Sequence, residues 1–207
     1  LDNGEEIIGQ SKYAGMFIDH WANYSWPSGL MWLPYRYRIV GDGRTKVGIR
    51  LWIKVPSQGG GKGATPPAAS LKIPTSPGLI GLIVRKTIWL NSENNLIVVN
   101  EEIKNPTGES RSVSPYIQQA LGISGRRYDN WYLPSTRGIV VRVMPGKAGE
   151  KAIGPNWVLN PVSGWMAVNN RRSKRGLLFV FNYNYLEKIY TSGATAEWFM
   201  ESVPLGP

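Results

Sequence analysis

The 207-residue chain carries 24 lysines and arginines against 14 aspartates and glutamates, a formal net charge of +10, with 42% hydrophobic and 18% charged residues, a folded-protein composition that excludes a disordered chain. Zero cysteines exclude a disulfide framework and a thiolate zinc site, a lone histidine leaves no imidazole cluster for a transition metal, and no cofactor is expected. No apolar run is long enough for a membrane-spanning helix, and no membrane partner is expected.

In chain order, the first stretch with chemical content is "MFIDHWANYSWPSG", residues 16–29. It sets Asp19 and His20 among Trp21, Tyr24 and Trp26. Rings cover the C–H faces of sugars while polar groups meet the hydroxyls, so these five residues are expected to contact a saccharide. His20 also has the only side chain here with an ordinary pKa near neutrality, which makes it the candidate general acid. A packed corner is the competing reading.

"MWLPYRYRIV", 31–40, alternates Arg36 and Arg38 with Tyr35, Tyr37 and Ile39, and "GDG", 41–43, supplies turn chemistry. In "KVGIRLWIKV", 46–55, Val47, Ile49, Leu51, Ile53 and Val55 point one way, and Lys46, Arg50, Trp52 and Lys54 the other. The pair is expected to form a hairpin, with Arg36, Arg38 and Trp52 available to a ligand. Residues 56–78 are rich in glycine, proline, serine and alanine and read as a flexible loop. Its "GGGKGAT" lacks the spacing and the ending of a phosphate-binding loop.

Further strands are predicted at 79–90, 96–104, 110–117, 138–144, 164–169, 177–183 and 194–203, each with period-two alternation. Only "YIQQALGI", 116–123, strings helix formers together, and it is too short to be stable alone. "RRYDNWYLP", 126–134, offers Arg127, Trp131 and Tyr132 as a second group of saccharide contacts. The basic runs at 125–127 and 171–175 fall between apolar segments and read as hairpin tips, which makes nucleic acid the lesser partner despite the net charge. The fold expected is all-β: one antiparallel two-sheet β-sandwich domain over 1–207 with very little helix.

"RKTIWLNSENNLIVVNEEIKNPTGESRSVSPYIQ", 85–118, and "TAEWFMESVPLGP", 195–207, together resemble the galactose-mutarotase-like supersandwich domains. In that family such strands end in an N-x-(S/T)-(D/G)-x phrase followed by proline and histidine, and a late strand runs into a PLxPG phrase. The resemblance implies a sandwich whose concave face handles saccharides, and a secreted or periplasmic setting. The family's mutarotases place a catalytic histidine near where Gln118 and Gln119 stand here, so Gln118 is expected in the ligand site and catalysis does not carry over directly. The family continues into a closing strand beyond the position of Pro207, so a sandwich lacking its last strand is expected, with an open edge through which copies of the chain could assemble.

Saccharide binding is therefore the leading expectation. The enzymatic alternative, an epimerase, lyase or hydrolase, would use His20 as acid and Glu197 or Glu201 as base; those two glutamates would share a face of an unbroken strand. A nucleic-acid-binding or assembly protein is the remaining class, since rings and cations also stack unpaired bases.

Overall fold

The computed structural model describes residues 18–21, 35–57, 77–120, 130–144, 151–170, 173–191 and 195–207. In chain order the strands are β1 (Ile18–Trp21), β2 (Arg36–Gly41), β3 (Lys46–Lys54), β4 (Ile83–Asn91), β5 (Ile97–Lys104), β6 (Arg111–Val113), β7 (Pro115–Ala120) and β8 (Asn130–Ser135). They continue as β9 (Gly138–Val143), β10 (Trp157–Leu159), β11 (Trp165–Asn170), β12 (Arg175–Val180), β13 (Leu186–Thr191), β14 (Thr195–Met200) and β15 (Val203–Leu205). Every strand pairing is antiparallel, and among the described residues the only helical pieces are 3-10 turns at Pro77–Leu79 and Tyr183–Tyr185. The all-β class is thus what the period-two pattern dictates. The chain divides into two compact units, one of Leu1–Asn23 with Ser114–Ser202 and one of Tyr24–Val113 with Val203–Pro207.

The first unit is a β-sandwich. One sheet runs β1-β7-β14-β13-β10 and the other β12-β11-β8-β9. Inward positions alternate along each strand, so Trp131, Leu133, Met166 and Val168 of one sheet meet Val158, Ile189, Ala196 and Trp198 of the other in one buried cluster. Phe181 stacks on Trp198 with ring centroids 5.0 Å apart. Leu186 and Ile189 both reach the core although they are three residues apart, because the register of β13 shifts between Leu186 and Lys188. That bulge turns the next residue over and re-phases the strand.

The strand predicted over 110–117 forms as two, β6 and β7, and the helix formers of 116–120 lie in β7, whose backbone β1 and β14 satisfy on both sides. One local expectation changes here. Trp131, expected to meet a ligand, is 2% exposed in the core, since the alternation of β8 turns it inward with Leu133.

The second unit holds the sheet β2-β3-β4-β5 and the two-stranded pair β15-β6. The predicted hairpin of β2 and β3 forms in register, Arg36 opposite Trp52 and Ile39 opposite Ile49. Its turn is closed by Asp42, whose Oδ1 accepts from the backbone N–H of Arg44 (2.8 Å), Thr45 (2.9 Å) and Lys46 (3.0 Å). The bond from the Thr45 hydroxyl, and after it these backbone bonds, hold the Asp42 carboxyl well below the usual carboxylate range. The "NPTGE" phrase works as a structural tie, in which Asn105 Nδ2 donates to the carbonyls of Glu109 (2.7 Å), Leu205 (3.2 Å) and Gly206 (2.9 Å) and so fastens the β15 end to the β5–β6 turn. The strand expected over 194–203 is accordingly two, β14 and β15, separated at Glu201 and Ser202.

Gly48 is required where β3 passes β4. A Cβ there would lie 2.6 Å from the Ile88 carbonyl oxygen and 2.6 Å from the Trp89 ring. Gly48→Ala is expected to destabilise the second unit by about 2 kcal/mol through overpacking, read as a lower urea midpoint at unchanged slope. Tyr24, Trp26, Arg127 and the 58–76 portion of the glycine-rich loop lie outside the described residues.

Candidate functional site

The sheet β1-β7-β14-β13-β10 has a second face, turned away from the sandwich core. Cross-strand register orders it into two rows. One runs Gln118, Glu197, Tyr190, Trp157, and the neighbouring row runs Tyr116, Phe199, Lys188, Leu159; in backbone register Ile18 of β1 pairs with Gln118 and His20 with Tyr116. Both result from the same alternation that sends Ile117, Trp198, Ile189 and Val158 inward. His20, Gln118 and Glu197, far apart in sequence, thereby fall on one sheet, with β7 between β1 and β14.

Exposure along these rows falls from the β10 edge toward the middle. Trp157 is 42% exposed, whereas Phe199, Tyr116 and Gln118 are exposed by only 8%, 6% and 5%. The rings form a continuous strip: Trp157 lies 4.5 Å from Tyr190 and 5.4 Å from Phe199, and Phe199 stacks on Tyr116 at 4.3 Å. The Lys188 ammonium sits 5.4 Å from the centre of the Phe199 ring, a cation held over a π face.

Glu197 stands in this apolar strip with one hydrogen bond, accepted from the Thr195 hydroxyl at 3.3 Å. Burial pushes its carboxyl up to about 7, only partly offset by that bond. The Tyr116 phenol is pushed up as well, by burial and then by the negative charge of Glu197. Near neutral pH Glu197 therefore exists in both protonation states and can donate or accept a proton. Opposite it on β7, the Oε1 of Gln118 is buried with no hydrogen-bond partner among the described residues. A carboxyl and an ammonium thus border one aromatic strip, with the buried Gln118 oxygen beside the carboxyl.

The other expected site residues fall elsewhere. Asp19 and Trp21 alternate with His20 on β1, opposite Ile117 and Pro115. Glu201 follows the end of β14 and is exposed, its N–H donating to the Tyr185 carbonyl at 2.7 Å, so the face-sharing with Glu197 expected on an unbroken strand does not occur. Tyr132 is on the outer face of the other sheet, paired with Ala167 and Val141, its hydroxyl 3.4 Å from Asn169 Oδ1. It lies on the side of the sandwich away from Glu197. Arg36, Arg38 and Trp52 come together in the second unit, on a sheet face of their own.

Trp157, Tyr190, Phe199 and Lys188 carry no clear signal in the sequence. Trp157 follows "GPN" and is an aromatic beside a turn, the same weak mark carried by Trp26 and Trp131. Tyr190 and Phe199 lack even that, because on a strand only the partner strands decide which face is open. Among the described residues no cluster of histidine, aspartate and glutamate could hold a metal ion. No protein-family model, curated protein or solved structure matches the chain.

Proposed function

We propose that the first unit binds a saccharide at the open end of the strip, on Trp157 and Tyr190, with Glu197 and Lys188 meeting its hydroxyls. The observation that carries this reading is the meeting of an exposed tryptophan edge with a carboxyl poised near neutrality on one sheet face. A sugar needs one flat apolar contact and a few convergent polar groups that can both donate and accept, and this strip supplies both. The resemblance of 85–118 and 195–207 to saccharide-handling supersandwich domains supports the same class.

The test is a glycan array followed by titration calorimetry on the best ligand. Trp157→Ala is expected to weaken that ligand about tenfold, the equivalent of roughly 1.4 kcal/mol, while leaving the fold intact. Unchanged affinity, or no glycan bound at all, would remove the proposal.

Acid/base sugar chemistry is the second reading, favoured by the shared sheet of His20 and Glu197. They are two strands and two residues apart, about 12 Å between Cα atoms from standard sheet spacings, so an acid and a base on them would act from different sides of a sugar rather than bond to each other. Turnover of a bound sugar that His20→Ala lowers by roughly two to four orders of magnitude at unchanged affinity would establish it over simple binding.

A further inference from the structure

The sheet β2-β3-β4-β5 has two unlike faces. One carries Val47, Ile49, Leu51, Ile53, Val84 and Ile88, and the other is cationic. Across the cationic face one row reads Arg36, Trp52, Arg85, Glu102, and the next reads Arg38, Arg50, Thr87, Asn100. Lys54 and Lys104 extend it at one end; at the other the apolar row Val40, Gly48, Trp89, Val98 separates it from Lys46. Glu102 is the single carboxylate of these rows among the described residues, and it is already held by Arg85 (2.9 Å) and Lys104 (3.1 Å). These cations, Lys104 before Arg85, hold the Glu102 carboxyl below its ordinary value.

Arg36, Arg38 and Lys54 are exposed and have no carboxylate partner among the described residues. Arg38 moreover stands directly opposite Arg50, whose Nε donates to the Thr87 hydroxyl at 3.3 Å. Like charges paired across a ladder destabilise a sheet, and a bound anion relieves them. The face is thus rich in donors and poor in acceptors.

We propose that this face binds a linear polysaccharide of uronate units, independently of the strip on the first unit. Charge complementarity requires an anion, and the ring content decides which polymer. A single-stranded nucleic acid is held by successive open rings on which bases stack. On the two cationic rows Trp52 is the one ring, half-buried; Trp89, on the next row and equally half-buried, packs over Gly48 with the Lys46 ammonium 4.2 Å from its ring centre. One ring amid many guanidinium groups suits a polymer in which a sugar covers Trp52 and carboxylates carried directly on the sugar rings reach Arg36, Arg38 and Arg50. Guanidinium forks match carboxylates in a planar, two-bonded geometry, and the Arg85–Glu102 pair shows a carboxylate accommodated on this face. Rows about 6.7 Å apart and strands about 4.8 Å apart let adjacent arginines take successive units.

Polygalacturonate titrated into the full chain tests this. Arg36→Gln with Arg38→Gln is expected to weaken binding about tenfold or more, and Trp52→Ala several-fold. Arg137→Gln with Lys174→Gln, which removes the same charge from exposed hairpin tips of the first unit, is expected to change it by less than about twofold. Trp157→Ala should leave polygalacturonate binding unchanged, which separates this site from the saccharide strip. Equal losses from the two double variants would reduce the effect to net charge and overturn the site. No binding of polygalacturonate, or tighter binding of heparin or of oligothymidylate than of polygalacturonate, would overturn it as well.

Discussion

Arg142→Ala is expected to destabilise the first unit by about 3 kcal/mol or more. Arg142 lies on the inward side of β9, opposite Trp131, and is 6% exposed. Its Nη1 donates to the side-chain oxygen of Asn156, to the Thr191 carbonyl at 2.6 Å and, more distantly, to the Thr191 hydroxyl at 3.5 Å. One guanidinium from the β8–β9 sheet therefore ties down the end of β13 in the facing sheet, where the Thr191 N–H also donates to the Asn156 carbonyl at 2.8 Å. Burial lowers the Arg142 pKa from its ordinary value, but a guanidinium remains charged at any pH the fold survives.

Truncation to alanine leaves a cavity and takes this donor from the buried Thr191 carbonyl, and a buried acceptor left unpaired costs about 1–3 kcal/mol. Arg142→Met keeps most of the volume and removes the cost of burying a charge, so its loss should be about half that of the alanine variant. Hydrogen exchange followed by mass spectrometry is the measurement, because it reads the amides of β8, β9 and β13 without assuming that both units unfold together. A loss under about 1 kcal/mol for Arg142→Ala would show that the bridge between the sheets is dispensable.

The stability of the same unit should fall as pH rises from about 5 to about 8. Glu197 has its folded pKa raised from an ordinary 4.5 to about 7. Between those values the folded chain keeps a proton that the unfolded chain has released, so folding binds protons there and each step up in pH removes stability. The contribution is fully present below about pH 4.5 and lost by the time the pH has passed about 7, in total about 3 kcal/mol. Glu197→Gln cannot ionise. It should flatten the profile over this window and be more stable than the wild-type protein at pH 8, as measured by urea midpoints at a series of pH values. A wild-type profile that rises over the same window would show the carboxyl to be held in its charged form instead. Saccharide affinity should follow the same titration if Glu197 contacts the ligand.

Most strands were legible because their alternation is regular. Val47, Ile49, Leu51 and Ile53 share one face of β3 as the pattern requires, and β4, β5, β9, β11 and β12 lie within a few residues of their predicted places. The elements that escaped have identifiable causes. β13 carries a bulge that breaks its period, so "LEKIYT" does not alternate cleanly. β1 and β10, four and three residues long, are too short for a period to show. The strand predicted over 110–117 is broken into β6 and β7, and β7 runs on to Ala120 through helix formers because both neighbouring strands pair with it.

The site divides in the same way. His20, Gln118 and Glu197 could be named from chemistry and family resemblance, and Arg36, Arg38 and Trp52 from alternation alone, since each of those properties belongs to a residue or to its near neighbours. That β7 brings His20, Gln118 and Glu197 to one sheet, that Trp131 turns inward while Trp157 stays open, and that Glu201 leaves the sheet altogether are matters of register and strand order. Composition and period two determine that this chain is built of β-strands and how each strand's two sides differ. Which sides are covered and which rings and charges become neighbours depends on pairings between residues distant in sequence, and only the tertiary structure decides those, because a strand's backbone accepts any partner that satisfies its hydrogen bonds and buries its apolar side.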